Sequence, residues 1–450
     1  MKVFYSHYLT QLNHPAVQMV EHVSRELRTF GHDVYVHASA GIEPESQAEA
    51  PPTSDAGDAN VKTTKVAQFK KSLKRNLWFA KAMYRNRRWY PGDLQALREF
   101  QPDIVLARQD AYCWSVVKAA RKLNIPVVTY ADAPVAYEVR MFNEAMRWHP
   151  PGLVEYIERW GIGRSRSVIT VSHPAARQLQ RYRVKCPIYV DHNGIDERRF
   201  PEFNAEHREA IRKSLGLRAR TVLGFQGSFR SFHGIDRLAE LIEMTDELDV
   251  DWLLIGDGPE RRKLEAASAG RDNVKFLGRR PQEEMAALLS AIDIAVAPHA
   301  KMDGDFYFCP LKILEYAASG CAILASNQGD IPKLLAYGAG GEIVDSDDPR
   351  DWMCGIIRLI SDPAYRSELG QIARSHVMQN LTWRRTAESV ESILQRALGK
   401  SRKSSESLKV ESEQSDSAND DRIEDELMQT LQDAVSSPEP EVNEPVTAWR

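Results

Sequence analysis

Along most of this 450-residue chain, apolar runs of four to seven residues alternate with stretches whose apolar positions recur every three or four residues. Strands buried on both faces read as continuous apolar runs, and the crossovers between them read as amphipathic helices, so the pattern predicts parallel sheets covered by helices. Two such series are present. The first predicts strands at Lys2–Tyr5, Asp33–Val36, Ile104–Ala107, Val127–Tyr130, Val168–Val171 and Ile188–Val190. Between its first two strands, His14–Phe30 places Val17, Val20, Val23 and Leu27 on one helical face and stops at Gly31. The second series predicts strands at Thr221–Gln226, Trp252–Ile255, Val274–Leu277, Ile292–Ala297 and Ala322–Ala325, and only helices from Asp348 to Leu398. A polar stretch with Pro201, near Phe200–Phe203, separates the two. The chain is thus expected to be α/β, with Rossmann-like domains over 1–200 and 201–380 and a helix over 381–400 able to cross back to the first.

Two segments depart from the alternation. Pro44–Asn60, rich in Ala, Pro, Ser and acidic residues, reads as a mobile loop. Residues 401–450 carry five Lys or Arg against thirteen Asp or Glu, so the net charge of −4 divides into −8 for this tail and +4 for the body. With so little aliphatic content the tail cannot offset its ordering entropy, and it is expected to be disordered, with a transient helix around Ile423–Val435.

Composition narrows the class further. A chain that is 43% hydrophobic and 27% charged is that of a globular protein, and no apolar run approaches the roughly 20 residues of a spanning helix. MKVFYSHYL at the start enters a strand-like run without a basic-then-apolar leader, so the expected location is cytoplasmic. The five cysteines never stand at CxxC spacing and the histidines never at HxxxH, so neither a disulfide framework nor a metal site is expected.

Three strand-to-helix turns carry candidate chemistry. In GFQGSFRSFHGIDRL (224–238) a strand ends at glycine before a short basic loop and a helix, an order that directs backbone N–H groups and a helix dipole at an anion. Gly227, Ser228, Arg230 and His233 are its candidate phosphate contacts; the alternative is that Gly227 and Gly234 only shape a tight turn. LLIGDGPERRKLE (253–265) repeats the strand, Gly-rich turn and helix, with Gly256 at the turn. In DFYFCPLKILEYAASGCAILAS (305–326) a helix begins after Pro310, with Leu311 and Lys312 at its start and Glu315 one turn further in. A carboxylate on so apolar a helix needs a partner. A ribose diol is one, a neighbouring Lys or Arg the other. Asp132, in YADAPVAYEVR (130–140), stands where a central strand ends, the ligand-binding end of an open α/β sheet. It is a candidate sugar or acceptor contact, or else an Asx-type turn cap before Pro134. Glu138 is a further candidate contact for the sugar or acceptor, and Asn13, His14 and Arg108 fall at similar cleft-facing strand ends.

In their order, NGID (193–196), GSFRSFHG (227–234), IGDGP (255–259), VKFLGR (274–279) and PLKILEYAASG (310–320) resemble the C-terminal domain of glycosyltransferase family 4, the retaining enzymes of GT-B fold. FGHDVYV (30–36), QPDIVLAR (101–108) and ITVS (169–172) are similar in outline to the family's N-terminal half. The resemblance implies two Rossmann-like domains facing a central cleft, and transfer of a sugar from a UDP- or GDP-sugar to an acceptor hydroxyl. It implies no further cofactor and no metal. It places Arg230 and Lys312 on the leaving diphosphate, Glu315 on the ribose, Gly278 and Arg279 at the base, and Asp132 in the acceptor domain. The chain departs from the family where Ser228 and His233 replace an Arg and a Lys, where Tyr307 replaces the first of two glutamates, and where Asp132 replaces a His. A GT-B binding or assembly protein without catalysis and a nucleotide-sugar epimerase remain alternatives. A dehydrogenase does not, because SHYLTQLNHP (6–15) after the first strand holds no glycine.

Residues 62–89 hold ten Lys or Arg and no acidic residue, with Phe69, Leu73, Leu77, Trp78 and Tyr84 near helical spacing. Two readings stay open: a helix at an anionic membrane surface, serving a lipid-linked or polysaccharide acceptor at the inner face of the membrane, or a basic helix packed on the first domain. No element resembles a reader of nucleic-acid bases.

Overall fold

The computed structural model describes residues 1–8, 15–39, 84–110, 113–142, 151–202, 204–302 and 304–399. Pro44–Asn60, most of 62–89, Asn13, His14 and the tail therefore lie outside the described residues.

The apolar runs form two six-stranded sheets in which every pairing is parallel. The first contains β1 (Lys2–His7), β2 (Asp33–Ala38), β3 (Ile104–Arg108), β4 (Val127–Ala131), β5 (Ser167–Thr170) and β6 (Ile188–Val190), in the order β2-β1-β3-β4-β5-β6. The second contains β7 (Thr221–Gly227), β8 (Val250–Gly256), β9 (Val274–Gly278), β10 (Ile294–Ala297), β11 (Ala322–Ser326) and β12 (Glu342–Val344), in the order β12-β11-β10-β7-β8-β9. β12 was not expected from the pattern: a three-residue edge strand is too short to show a run. In each sheet the winding reverses next to the founding strand, at β1/β3 and at β7/β10. Ligands of open α/β sheets bind outside the carboxyl ends at such points.

Each sheet is covered on both faces, and β3 and β4 are buried along their whole length. The helix Pro15–Thr29 turns Val17, Val20, Val23 and Leu27 into the core and ends before Gly31, whose φ of 84° is left-handed. After the helices Pro349–Ser361 and Pro363–Asn380, the chain returns to the first sheet. There the helix Trp383–Ala397 lies against Pro15–Thr29, with the Trp383 and His22 rings stacked at 5.4 Å and 6° and His32 Nε2 2.8 Å from the Glu391 carboxylate. Among the described residues no helix is long and apolar enough to cross a membrane.

Candidate functional site

The carboxyl ends of both sheets open on a shared cavity of about 470 Å³. The second sheet supplies Gln226, Gly227, His233, Gln282, Lys312 and Glu315; the first domain supplies Asp132, Gln18 and His22; and the connection after β6 supplies Asn193–Asp196 and Arg199. Local sequence explains the second sheet's share. β7 ends at Gly227, a single turn Ser231–His233 follows, and Gly234 starts the helix Ile235–Met244. Gly234 has φ 74°, and a Cβ on it would lie 1.5 Å from the Pro298 carbonyl oxygen, so this turn admits only glycine. A Cβ on Gly256, at φ 125°, would lie 1.9 Å from the Gly227 carbonyl oxygen, so β7 and β8 can close together only because Gly256 has no side chain.

The candidate residues thus divide. Gly227, His233, Leu311, Lys312, Glu315 and Asp132 line the cavity. Gly256 lies behind Gly227 as a packing position, Ser228 and Arg230 are exposed on the loop after β7, and Gly278, which ends β9, and Arg279, which follows it, lie outside the lining.

Lys312 is 9% exposed, and its Nζ stands 4.5 Å from the Phe225 ring centroid with no hydrogen-bond partner among the described residues. Burial pushes its pKa down to about 7, although Glu315 favours the charge. A Cβ on Gly227 would lie 3.0 Å from this Nζ, so the glycine leaves the ammonium open to the cavity. Burial and the Lys312 charge also hold His233 and the buried His299 well below the ordinary histidine range, so both are neutral at pH 7. Lys312, His233 and His299 thus gather nitrogen groups on one wall of the cavity, with the Glu315 carboxylate one helical turn from Lys312.

Glu315, 8% exposed, is one turn along the same helix. Among the described residues it makes no salt bridge: Oε2 accepts from Gln226 Nε2 at 2.8 Å and Oε1 from Gln282 Nε2 at 2.5 Å. Burial raises its pKa, and the two amides and then Arg199 and Lys312 oppose that rise. Gln226, Gln282 and Arg199 were not singled out from the sequence, because a glutamine or arginine at a strand end or in a short turn carries no signal until the fold turns it inward.

Across the cavity, Arg108 Nη2 donates to the Asp132 carboxylate at 2.7 Å, an ion pair that orients the aspartate. Burial, and then the Asp132 charge, pushes nearby Glu138 up to about 7. The loop that leads to Lys312 is pinned by the first domain: Ser172 Oγ donates to the Tyr307 carbonyl at 2.5 Å, Gln178 Nε2 to Asp305 at 2.6 Å and Asn193 Nδ2 to the Cys309 carbonyl at 3.2 Å.

One cluster was invisible in the sequence because its members lie far apart. His173 Nδ1 and His192 Nε2 from the first domain approach Asp330 Oδ2 from the second at 2.8 and 3.0 Å. These are proton-sharing distances, shorter than those between ligand atoms spread around a metal ion. Lys333 Nζ also stands 2.9 Å from His173 Nδ1, so the cluster is a clasp between domains rather than a cation cage.

Residues 16–199 match the model of Glycosyltransferase Family 4, and residues 220–362 that of Glycosyl transferases group 1. The chain is similar to a D-inositol 3-phosphate glycosyltransferase of Corynebacterium jeikeium, 29% identical over 46% of this chain and 51% of the relative. It is also similar to a GDP-mannose-dependent monoacylated alpha-(1-6)-phosphatidylinositol monomannoside mannosyltransferase of Corynebacterium glutamicum, 28% identical over 54% of this chain and 62% of the relative. The chain therefore spans about half to three-fifths of the length of these curated relatives. In fold it is similar to Anabaena Alr3699/HepE in complex with UDP, with a TM-score of 0.66 at 15% identity over 88% of this chain and 100% of that one. Sucrose-phosphate synthase from Thermosynechococcus elongatus gives a TM-score of 0.65 at 16% identity over 89% and 100%.

Proposed function

Because the chain belongs to the group 1 glycosyltransferases of family 4 and has the GT-B fold, we propose that it transfers a sugar from a nucleotide-sugar donor to an acceptor hydroxyl with retention of anomeric configuration. The observation that carries this reading is the buried, unpartnered Lys312 ammonium facing the cavity beside Gly227, one helical turn from the Glu315 carboxylate. A cation and a carboxylate so spaced suit the diphosphate and the ribose of one donor.

In the reaction the bond between the sugar C1 and the diphosphate oxygen breaks, and a bond from C1 to the acceptor oxygen forms on the same face. The acceptor proton leaves with the nucleoside diphosphate. Lys312 and the N–H groups at the start of its helix stabilise charge developing on the leaving oxygen, and the low local polarity strengthens that effect. Arg230, exposed on the loop after β7, swings in to the outer phosphate. Asp132, oriented by Arg108, meets the sugar or the incoming hydroxyl.

The acceptor is read as a lipid-linked or surface glycan, in keeping with the name of the Corynebacterium glutamicum relative, and the donor as a UDP- or GDP-sugar. Residues 62–89 are the proposed contact with an anionic membrane face, and nucleic acid is not a proposed partner. In the part of this stretch that is described, Tyr84, Arg85, Arg87 and Arg88 are exposed, whereas Asn86 is buried and the Trp89 ring lies 5.5 Å from Tyr8.

Calorimetric titration of the intact protein with UDP and GDP, with sugar-transfer assays on the corresponding donors, tests the reading. Lys312→Ala is expected to weaken diphosphate binding and to lower turnover about tenfold or more, because the charge acts more strongly in the transition state. Unchanged transfer by a folded Lys312→Ala protein would remove the diphosphate role.

A further inference from the structure

The two oxygens of Glu315 are both occupied, by side chains held very differently. Gln226 belongs to β7, its backbone N–H donates to the hydroxyl of fully buried Tyr316 at 2.6 Å, and its register with Ile255 of β8 is fixed. Gln282 sits in the short turn Gln282–Glu284, between exposed Pro281 and exposed Glu283, and its amide makes no other hydrogen bond among the described residues. Moving Gln226 would disturb the sheet. Moving Gln282 requires only a side-chain rotation at the cavity rim.

Two acceptors, on side chains that are themselves joined at 2.8 Å, would then be open to a donor pair. One is Glu315 Oε1, vacated by Gln282. The other is Gln226 Oε1, which is buried and has no hydrogen-bond partner among the described residues, while the same amide's N–H is held by Glu315. A vicinal diol brings two O–H donors and matches this pair, whereas a lone hydroxyl leaves one acceptor unmet.

We propose that Gln282 closes the Glu315 carboxylate in the empty site and is displaced from it by the ribose diol of the nucleotide, so that it sets nucleotide affinity by competing with the ribose. This rests on the reading of Glu315 as the ribose anchor. In the empty site Gln282 satisfies a carboxylate that burial would otherwise penalise. On binding it gives up that hydrogen bond to solvent, which subtracts from the affinity the diol would otherwise reach.

The proposal reverses the ordinary expectation for a cavity-lining polar residue, since truncating Gln282 should tighten binding. The experiment compares UDP and GDP with their 2′,3′-dideoxy analogues by calorimetry on wild type, Gln282→Ala, Gln282→Asn and Glu315→Ala. Gln282→Ala is expected to bind whichever ribonucleotide the protein takes about three- to tenfold more tightly, with no gain for the dideoxy analogue. Gln282→Asn, too short to reach Oε1, should behave like Gln282→Ala. Weaker or unchanged ribonucleotide binding in both variants overturns the proposal, as does an equal gain for the dideoxy form. Glu315→Ala separates the two ideas. If it leaves the preference for ribo over dideoxy intact, the ribose role of Glu315 fails; if it abolishes that preference while Gln282→Ala changes nothing, only the competition fails.

Discussion

Lys312 holds its ammonium in a largely apolar setting, and the cost has a definite pH dependence. Its folded pKa, about 7, lies below the ordinary lysine value of 10.5, so between those values the unfolded chain binds the extra proton and stability rises with pH. Below pH 7 the penalty is complete. Lys312→Met is therefore expected to stabilise the fold by roughly 1–3 kcal/mol at pH 6 and not at all near pH 10.5, while diphosphate binding is lost. Urea unfolding at the two pH values measures the first effect. The same depression makes binding proton-linked. At pH 8 the empty site holds mostly neutral Lys312, so UDP or GDP should draw in close to one proton, and well below pH 7 none. Titration in two buffers of different ionisation enthalpy reads this uptake directly; equal apparent enthalpies at pH 8 would contradict it.

The turn between β7 and the helix Ile235–Met244 shows how a short element carries a site. Gly31 and Gly234 both have left-handed φ, 84° and 74°, but a Cβ on Gly31 meets nothing within 4 Å whereas one on Gly234 strikes the Pro298 carbonyl. Gly31→Ala should then cost only the left-handed strain, about 1–2 kcal/mol. Gly234→Ala adds a backbone clash, which moves the turn bearing His233. It should cost about 3 kcal/mol or more and abolish nucleotide binding, while Gly31→Ala keeps it. Urea midpoints and UDP or GDP titrations of the two variants make the comparison.

Between the domains, contacts onto loop 305–309 and the Asp330 clasp tie the first sheet to the segment that presents Lys312 and Glu315. Burial works against the Asp330 charge, but hydrogen bonds from His192 and from His173, backbone and ring, hold its carboxyl well below the usual carboxylate range. A carboxyl with a depressed folded pKa contributes stability above its unfolded pKa and loses it as pH falls through the folded value. Asp330→Asn is accordingly expected to cost about 1–3 kcal/mol at pH 7, with the gap to wild type closing only in strong acid, where Asp330 itself takes up a proton. Denaturant unfolding at pH 7, pH 4 and pH 2 tests this. A gap unchanged at pH 2 would mean that shape rather than charge holds the clasp.

Much of the architecture follows from local pattern alone. Continuous apolar runs such as IVLAR and VVTYA can only be strands covered on both faces, and the 3.6-residue period of Val17, Val20, Val23 and Leu27 can only be a core-facing helix, so eleven of the twelve strands were legible. The glycine turns and the Pro310 helix start were legible too, because backbone geometry restricts which residues serve there. What the pattern could not show is which side chains meet. Glu315 was recognisable as a carboxylate needing a partner, yet the partners are amides from two separate segments rather than a salt bridge. Asp132 was placed at a strand end, but its pairing with Arg108 depends on β3 and β4 being neighbours in register. His173, His192 and Asp330 meet only because the two domains do. Secondary structure is decided within a few residues by steric and hydrophobic periodicity, whereas hydrogen bonds and ion pairs act over about 3 Å in space, a distance that sequence separation does not encode.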